Sequence, residues 1–376
     1  MALTLDDSQR MLLDSARSFI GERAPIAHLR KLRDSRSADG FDRGLWKEFA
    51  EMGFAGVLVP EAHGGMGLGL VEAGVIMETI GRTLMPSPFF ATAVLGARAF
   101  TAADAPERFG QALAQIASGQ LLLALAVDEA ARHRPADFAT RADATTGGGW
   151  RIDGEKTFVV DGHVAQTLIV AAQAEGGAGT VLLLVDPAQP GVQVERTIMV
   201  DAHNSARVRL QGVMVTPDRV LVGPARGAQV LESLLDAGRA VLASELVGAG
   251  DEVFARTLSY LKERKQFGRT IGEFQALQHR AAVLLTDLEM ARAAVMKALQ
   301  AAQAGGPSAA RWVSVAKAKA CAAAGLAAQE GVQMHGGMGM TDAFEIGFFM
   351  KRARVLQELW GDSHFHTDAF ASHRGY

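Results

Sequence analysis

The sequence predicts an α+β protein of three successive domains: an N-terminal helical domain (1–120), a middle β-barrel or β-sandwich (121–224) and a C-terminal four-helix bundle (225–376). Two changes in apolar spacing predict this order, because the spacing passes from a helical period to alternation and back again. The length of 376 residues and the 49% of hydrophobic residues favour several buried cores over a disordered chain.

The N-terminal segment carries the helical pattern. An amphipathic stretch extends from Leu5 to Ile20, and Asp6 and Asp7 suit the positive end of a helix dipole. A turn is expected at Pro60–Gly65. The other helices predicted in this domain are Trp46–Met52, Leu70–Ile80, Phe89–Phe100 and Arg108–Ala117.

From residue 121 the apolar runs become short and rich in β-branched residues, as is typical of strands. The Thr- and Gly-rich segment Arg141–Gly149 is predicted to be a hairpin loop. The predicted strands are Leu121–Val127, Trp150–Val160, Gln166–Ala172, Thr180–Val185, Val192–Met199 and Ala206–Leu210.

After Val222-Gly223-Pro224 the helical period returns and continues almost to the end of the chain. The predicted helices contain Leu234–Leu261, Leu277–Leu299, Trp312–Gln333 and Phe344–Leu359. Long helices joined by short breaks such as Gly305-Gly306-Pro307 indicate an antiparallel bundle.

Charge and cysteine content exclude several classes of protein. A formal net charge of −3 gives no general attraction to nucleic acid or to an anionic membrane. No uncharged apolar stretch reaches about 18 residues, and Met1–Arg10 lacks the blocks of a secretion signal, so a cytoplasmic location is expected. The single cysteine, Cys321, is expected to be a buried structural thiol. His335, His364 and His366 lack partners at ligand spacing, so no metal site is predicted.

Two segments of the C-terminal domain carry the residue types of an anion-binding site. The first, Glu263–Gln275, is a basic turn marked by Gly268 and Gly272, where arginines and free backbone N–H groups suit phosphate; a solvated loop is the alternative. The second, Glu330–Asp342, contains Gly336-Gly337, which allow a pyrophosphate to approach the backbone; a helix C-cap is the alternative.

Together, these segments and their placement resemble the acyl-CoA dehydrogenase family over essentially the whole chain. The family pattern R-x-x-F-G-x-x-I-x-x-x-Q is met by Arg264, Phe267, Gly268, Ile271 and Gln275, and the pattern Q-x-x-G-G-x-G by Gln333, Gly336, Gly337 and Gly339. The turn Val59-Pro60-Glu61 with Gly64–Leu68 and the strand Gly154-Glu155-Lys156 with Gly162 match the first two domains.

The resemblance implies an FAD enzyme that oxidises the α,β bond of an acyl-CoA and passes electrons to an electron-transfer flavoprotein. A carboxylate removes the α proton while the β hydrogen leaves as hydride to the flavin. In such tetramers Arg264, Phe267, Gln275, Gln333, Gly336 and Gly337 would hold the adenine and pyrophosphate of an FAD lying mainly in a neighbouring subunit. Asp236 and Arg239 fall on positions that line the CoA tunnel, with a surface ion pair as the alternative.

The chain departs from the family at the catalytic base. Most members place a Glu before a Gly soon after the fourth bundle helix, where this chain has Leu359-Trp360-Gly361. A minority place it on the first bundle helix, at the position of Gly238. Neither Trp360 nor Gly238 can accept a proton.

A second departure concerns the flavin ring. The family loop T-E-P-x-A-G-S-D, whose hydroxyls and amides hold the ring, is replaced here by Val127–His133. Val160 stands where a Thr or Ser hydroxyl usually lies near the flavin, and it keeps the shape of that side chain without the hydroxyl.

These departures predict the non-catalytic subunit of a heteromeric acyl-CoA dehydrogenase, which completes the FAD site of a Glu-bearing partner in an α2β2 tetramer. Similar paired subunits act on bulky or dicarboxylic acyl-CoA thioesters such as steroid side chains, and the tail Gly361–His366 resembles their short members. One alternative is a self-sufficient homotetramer with Glu358, Asp362 or Asp236 as an unusual base. A related flavin oxidase or monooxygenase and a scaffold without flavin are the others.

Overall fold

A computed structural model describes residues 3–135 and 137–376. Within these residues the chain forms helices α1 (Asp7–Arg23), α2 (Ile26–Asp34), α3 (Arg43–Glu51), α4 (Leu70–Thr83), α5 (Ala97–Thr101), α6 (Gly110–Ala117), α7 (Pro224–Glu263), α8 (Gln275–Ala304), α9 (Ala309–His335), α10 (Ile346–Glu358) and α11 (Ser363–His373). A π-helix covers Phe89–Gly96, so the helix predicted at Phe89–Phe100 has a wider turn over most of its length. Asp6 caps α1 as predicted, because its side chain accepts the Gln9 N–H at 2.9 Å.

The strands are β1 (Leu123–Ala126), β2 (Arg141–Ala144), β3 (Trp150–Val160), β4 (Thr167–Ala174), β5 (Gly179–Val185), β6 (Val192–Ile198), β7 (Asn204–Val215), β8 (Val220–Val222), β9 (Lys265–Gln266) and β10 (Arg269–Thr270). The first eight form one sheet in the order β6-β7-β3-β2-β4-β5-β8, with β1 pairing parallel to β4. Ile152, Val170, Leu183 and Val208 lie in its buried core.

The prediction of a loop over Arg141–Gly149 is wrong for its first four residues. Arg141–Ala144 form β2, which pairs antiparallel with β3, and Ala142 is fully buried opposite Ile152. Only the residues from Thr145 to Gly149 form the turn, which Thr145 N–H closes by donating to Gly149 O at 2.9 Å. A single buried Ala is too weak an alternation to indicate a strand, so the pairing with β3 decides its structure.

The chain divides into two units. One contains the residues up to Lys31 together with Leu70–Met85 and Arg239–Tyr376, and it is helical apart from the β9–β10 hairpin. The other contains Leu32–Gly69 and Pro86–Gly238 and includes the eight-stranded sheet. The helical, β and helical segments follow one another along the chain as predicted. Each helix of the described residues is too short or too polar to span a membrane.

In the helical unit, glycines allow α4 and α7 to cross with their backbones in close approach. A Cβ on Gly81 would lie 2.3 Å from Glu245 O, and a Cβ on Gly248 would lie 1.9 Å from Glu78 O. These distances are far below van der Waals contact, so a side chain at either position forces the helices apart.

Lys317 fixes the end of α10. Its fully buried Nζ donates to Leu356 O at 2.9 Å and to Leu359 O and Gly361 O at 3.0 Å. The lysine therefore satisfies carbonyls that the helix end leaves without intrahelical partners. Cys321, one turn further along α9, is buried as expected.

We expect Gly248→Ala to lower the free energy of unfolding by about 3 kcal/mol, because the added methyl group meets the α4 backbone. Gly21→Ala is the matched control, because a Cβ on Gly21 of α1 meets nothing within 4 Å. It should raise stability by about 0.5 kcal/mol, since alanine has the higher helix propensity. Urea unfolding of both variants checks the prediction, which equal stabilities would contradict.

Candidate functional site

The first predicted binding segment forms an exposed hairpin between α7 and α8. Lys265 pairs with Thr270 and Gln266 with Arg269, which places Phe267 and Gly268 at the tip. Both tip residues have left-handed backbone angles, with φ of +54° and +78°, as a two-residue hairpin requires. The Phe267 side chain is 89% exposed.

The second segment lies where α9 ends. Gln333 is exposed in its last turn, and Gly336 turns the chain with φ of +59°. A Cβ on Gly336 or on Gly337 would meet nothing within 4 Å, so packing within the chain does not explain these glycines. An open backbone of this kind lets a ligand approach closely.

The two segments lie next to each other in the same unit. Leu261 of α7, Ile271 after the hairpin and Met334 of α9 form one hydrophobic cluster. Arg280 of α8 donates to Glu330 of α9 at 2.6 Å. We call the six predicted FAD-binding residues around this cluster the clamp: Arg264, Phe267, Gln275, Gln333, Gly336 and Gly337.

All six clamp residues are exposed. A guanidinium, two amide side chains, an aromatic ring and two open glycines together suit a phosphate-bearing heteroaromatic ligand. These residue types therefore suit the adenine and pyrophosphate half of FAD, which the sequence predicts as their ligand. The contacts between the clamp and FAD remain a prediction.

The acidic side chains of the loop expected to hold the flavin ring form hydrogen bonds within their own unit instead. Asp128 contacts His133 Nδ1 at 2.6 Å, and both side chains are buried. Glu129 accepts a hydrogen bond from the Lys156 ammonium at 2.7 Å, and it also accepts hydrogen bonds from the backbone N–H groups of Ala139 and Thr140. These acceptors and donors are thus already used within the chain.

Burial and the attraction between Lys156 and Glu129 together shift the pKa values of both groups. Burial lowers the pKa of Lys156 to about 8, against the opposing attraction of Glu129 and Asp128. Burial acts to raise the pKa of Glu129, but Lys156 and the hydrogen bonds to Thr140 and Ala139 outweigh it and lower that pKa. Both groups are therefore charged at neutral pH. With Val160 offering no hydroxyl, these side chains do not fit the flavin ring.

The two positions expected to carry the catalytic base, 360 and 238, are both buried. Trp360 is 3% exposed and has a left-handed backbone with φ of +58°. Its carbonyl oxygen accepts Arg239 Nε–H at 3.3 Å and lies 3.2 Å from His366 Nε2. Gly238 is buried within α7. Neither position carries a proton acceptor.

The alternative carboxylates have structural contacts. Glu358 is exposed on α10 and pairs with Arg354 at 2.8 Å. Asp362 caps α11 by accepting the Phe365 N–H at 2.8 Å. Asp236 is buried in α7.

The predicted CoA-tunnel residues are both buried, which does not suit the alternative of a surface ion pair. Asp236 is a buried polar residue of α7, and Arg239 lies with its guanidinium 5.6 Å from the centre of the Phe365 ring. Their role towards CoA remains a prediction.

Sequence reasoning missed the roles of four residues. The Glu129–Lys156 pair joins positions 27 apart, which no local pattern indicates. Lys317 did carry a signal, because a lysine in the apolar run of α9 has to find buried acceptors. His335 was considered only as a metal ligand, yet it packs directly beneath the clamp.

Comparison with known proteins identifies the family. Family models for the N-terminal, middle and C-terminal domains of acyl-CoA dehydrogenase match residues 6–120, 125–213 and 225–373. The chain belongs to the acyl-CoA dehydrogenase family. This confirms the predicted family, the predicted fold class and the prediction of an FAD-dependent oxidoreductase class.

Individual relatives cover nearly the full length. The acyl-CoA dehydrogenase IpdE2 of Mycobacterium tuberculosis (strain ATCC 25618 / H37Rv) is 30% identical over 95% of this chain and 94% of its own. A variant of the Tcur3481-Tcur3483 steroid ACAD is 29% identical, with a TM-score of 0.89 and 99% coverage of both chains. The ChsE4-ChsE5 complex of Mycobacterium tuberculosis shares the fold at 24% identity, with a TM-score of 0.89 and coverage of 100% of this chain and 99% of that one.

Glu129→Gln should lower the free energy of unfolding by about 3–5 kcal/mol, because it leaves the Lys156 ammonium buried without its counterion. The double variant Glu129→Gln/Lys156→Met should recover most of this loss, since it removes both charges. Chemical denaturation at neutral pH checks both expectations. A double variant as unstable as the single one would contradict them.

The same pair predicts a pH dependence. The Lys156 pKa is near 8 in the folded chain and ordinarily 10.5, so the unfolded chain binds more protons between these values. The contribution of this group to stability is therefore constant below pH 8 and increases from pH 8 to 10.5. In Glu129→Gln the increase should begin at a lower pH and be larger in total, because the attraction that keeps Lys156 protonated is absent.

Proposed function

We propose that this chain is the non-catalytic subunit of a heteromeric acyl-CoA dehydrogenase and completes the FAD site of a Glu-bearing partner. One observation carries the proposal. The clamp residues are all exposed, whereas the positions expected to supply the ring contacts and the base hold side chains bonded within the chain. A chain with only one half of the site is functional only together with a subunit that has the other half.

Each clamp residue has a role that its chemistry supports. The Arg264 guanidinium would bind pyrophosphate oxygens, and Phe267 offers an exposed ring face to adenine. The Gln333 amide and the Gly337 backbone N–H would donate to the same phosphates, and Gly336, whose N–H caps α9 by donating to Gln333 O, lets them approach closely. FAD, when bound, supplies the hydride acceptor, and the clamp serves only to hold and orient it.

The exposure of the clamp indicates where its ligand lies. Phe267 is almost fully exposed, and a Cβ on Gly336 or Gly337 would meet no atom of the described residues within 4 Å. A ligand on such a surface is enclosed only when a second subunit covers it. We therefore infer that most of the FAD belongs to the partner.

The names of relatives support a partner and a substrate class. Tcur3481-Tcur3483 is a steroid ACAD named for two chains, and ChsE4-ChsE5 is a complex. We infer an α2β2 tetramer that desaturates a bulky acyl-CoA, such as a steroid-derived thioester. An electron-transfer flavoprotein would accept the electrons, and the location would be cytoplasmic.

The first test is flavin content. The chain purified alone should contain little FAD and show no acyl-CoA dehydrogenase activity, because its ring contacts and base are missing. Co-expression with a Glu-bearing family member encoded beside it should give a complex with one FAD for each pair of chains. Absorbance at the flavin band, counted per chain, measures this. Stoichiometric FAD in the chain alone, bleached by acyl-CoA, would show that it is self-sufficient.

A second test locates the base. In the active complex, replacing the partner's catalytic Glu with Gln should lower kcat by at least about 1,000-fold. Asp362→Asn and Glu358→Gln should leave kcat within about two-fold, since Asn also caps helices and Glu358 forms only an exposed ion pair. A large kcat loss in either of these variants, with folding intact by circular dichroism, would assign the base to this chain.

A further inference from the structure

The last turn of α9 contains a histidine that is packed as part of the protein interior. His335 is 2% exposed and lies between two aromatic rings, with ring centres 4.4 Å from Tyr260 and 4.5 Å from Phe344. Its Nδ1 is 2.6 Å from Gly331 O, one turn earlier in the same helix. It directly precedes Gly336, where the clamp turn begins.

The contacts of the imidazole define its protonation. A carbonyl oxygen can only accept, so Nδ1 carries the proton that is donated to Gly331 O. Among residues 3–135 and 137–376, Nε2 is buried without a hydrogen-bond partner, so a proton there would be a buried charge with no acceptor in that part of the chain. The packed form of His335 is therefore the neutral Nδ1–H tautomer.

The surrounding backbone leaves this ring little freedom. A Cβ on Gly331 would lie 2.6 Å from Val253 Cγ1 of α7, so α9 and α7 pack closely one turn before the histidine. A Cβ on Gly339 would lie 2.7 Å from Val332 O and 3.2 Å from His335 Cβ, so the chain folds back over the same turn. The ring is thus enclosed by α7 on one side and by the returning chain on the other.

We infer that His335 is a positioning residue for the clamp: its neutral imidazole holds the last turn of α9 so that Gln333 and the Gly336-Gly337 backbone face the ligand. The inference rests on the proposed function of the clamp. At low pH the last turn of α9 loses this support, because a protonated imidazole cannot stay between Tyr260 and Phe344 with Nε2 buried.

The pH window follows from the surroundings of the ring. Burial lowers the pKa of His335 below its ordinary 6.5, and the Gly331 carbonyl opposes this shift. The unfolded chain therefore binds more protons just below pH 6.5, so support is complete above that value and is lost as the pH falls from it.

Other ionisable groups on the elements around the ring do not explain this shift. Several are engaged in ion pairs, Arg256 with Glu345, Arg280 with Glu330 and Asp342 with Arg30. Only burial and the Gly331 carbonyl act on the His335 pKa. The charged groups of these elements that lie within about a helical turn or two of the ring's neighbours in sequence include Arg256, Lys262, Glu263, Arg264, Arg280, Glu330, Asp342 and Glu345, and Tyr260 is also titratable.

Hydrogen exchange on the chain alone tests the positioning without a partner. Protection of the last turn of α9, corrected for intrinsic rates, should be lost in the wild type as the pH falls from about 7.5 to 5.5. His335→Phe keeps a ring but not the donor, so exchange should be about five-fold faster at pH 7.5 and no longer depend on protonation. His364→Phe, an exposed histidine on α11, is the matched control and should match the wild type.

His335→Asn provides a second variant if the phenylalanine disturbs folding. Its amide can donate to Gly331 O, so it should protect the turn better than His335→Phe while showing no titration. Wild-type protection that is equal at pH 5.5 and 7.5, or a His335→Phe variant with the wild-type profile, would overturn the inference.

FAD retention by the co-expressed complex separates this inference from the proposed function. Arg264→Ala should release FAD at every pH, and His335→Phe should weaken retention about five-fold above pH 6.5 and remove the wild-type pH dependence. If Arg264→Ala releases FAD and His335→Phe behaves as the wild type, the proposed FAD-binding role of the clamp is supported and the role inferred for His335 is wrong. If neither variant affects FAD, the clamp itself is wrong.

Discussion

The turn at Trp360 depends on one buried ammonium group. Lys317 Nζ donates to three carbonyl oxygens at the end of α10, which uses all of its donors. Burial lowers its pKa because the charged form loses hydration, so the three carbonyls have to hold the charge. The direction in which the chain leaves α10, and hence the burial of Trp360, is therefore set from α9.

The same helix ends next to the clamp, at the far end from Lys317. Lys317 and His335 lie on α9, separated by about 27 Å of helix at 1.5 Å per residue. The Lys317 contacts are to the carbonyls around Trp360, whereas the contacts of His335 are to Tyr260, Phe344 and Gly331 at the other end of the helix. The two ends of α9 are therefore held by different sets of residues.

The sequence predicted what depends on local pattern. The helical and alternating periods located most helices and strands, and the glycine and arginine motifs predicted the clamp, because each carries a local backbone or chemical requirement. It did not predict what depends on distant partners. Strand β2 exists because Ala142 packs opposite Ile152, and Glu129 acquires its role only when folding brings Lys156 to it.

The residues at the expected base and flavin-ring positions form interactions that stabilise the fold, so substituting any one of them alone disturbs the structure. A carboxylate at position 360 would enter a buried left-handed turn and lose its hydration there. A hydroxyl-rich loop at 127–133 would have to displace Glu129, and Lys156 would then remain buried without a counterion. The side chains at these two positions therefore stabilise the chain, whereas the clamp residues are exposed.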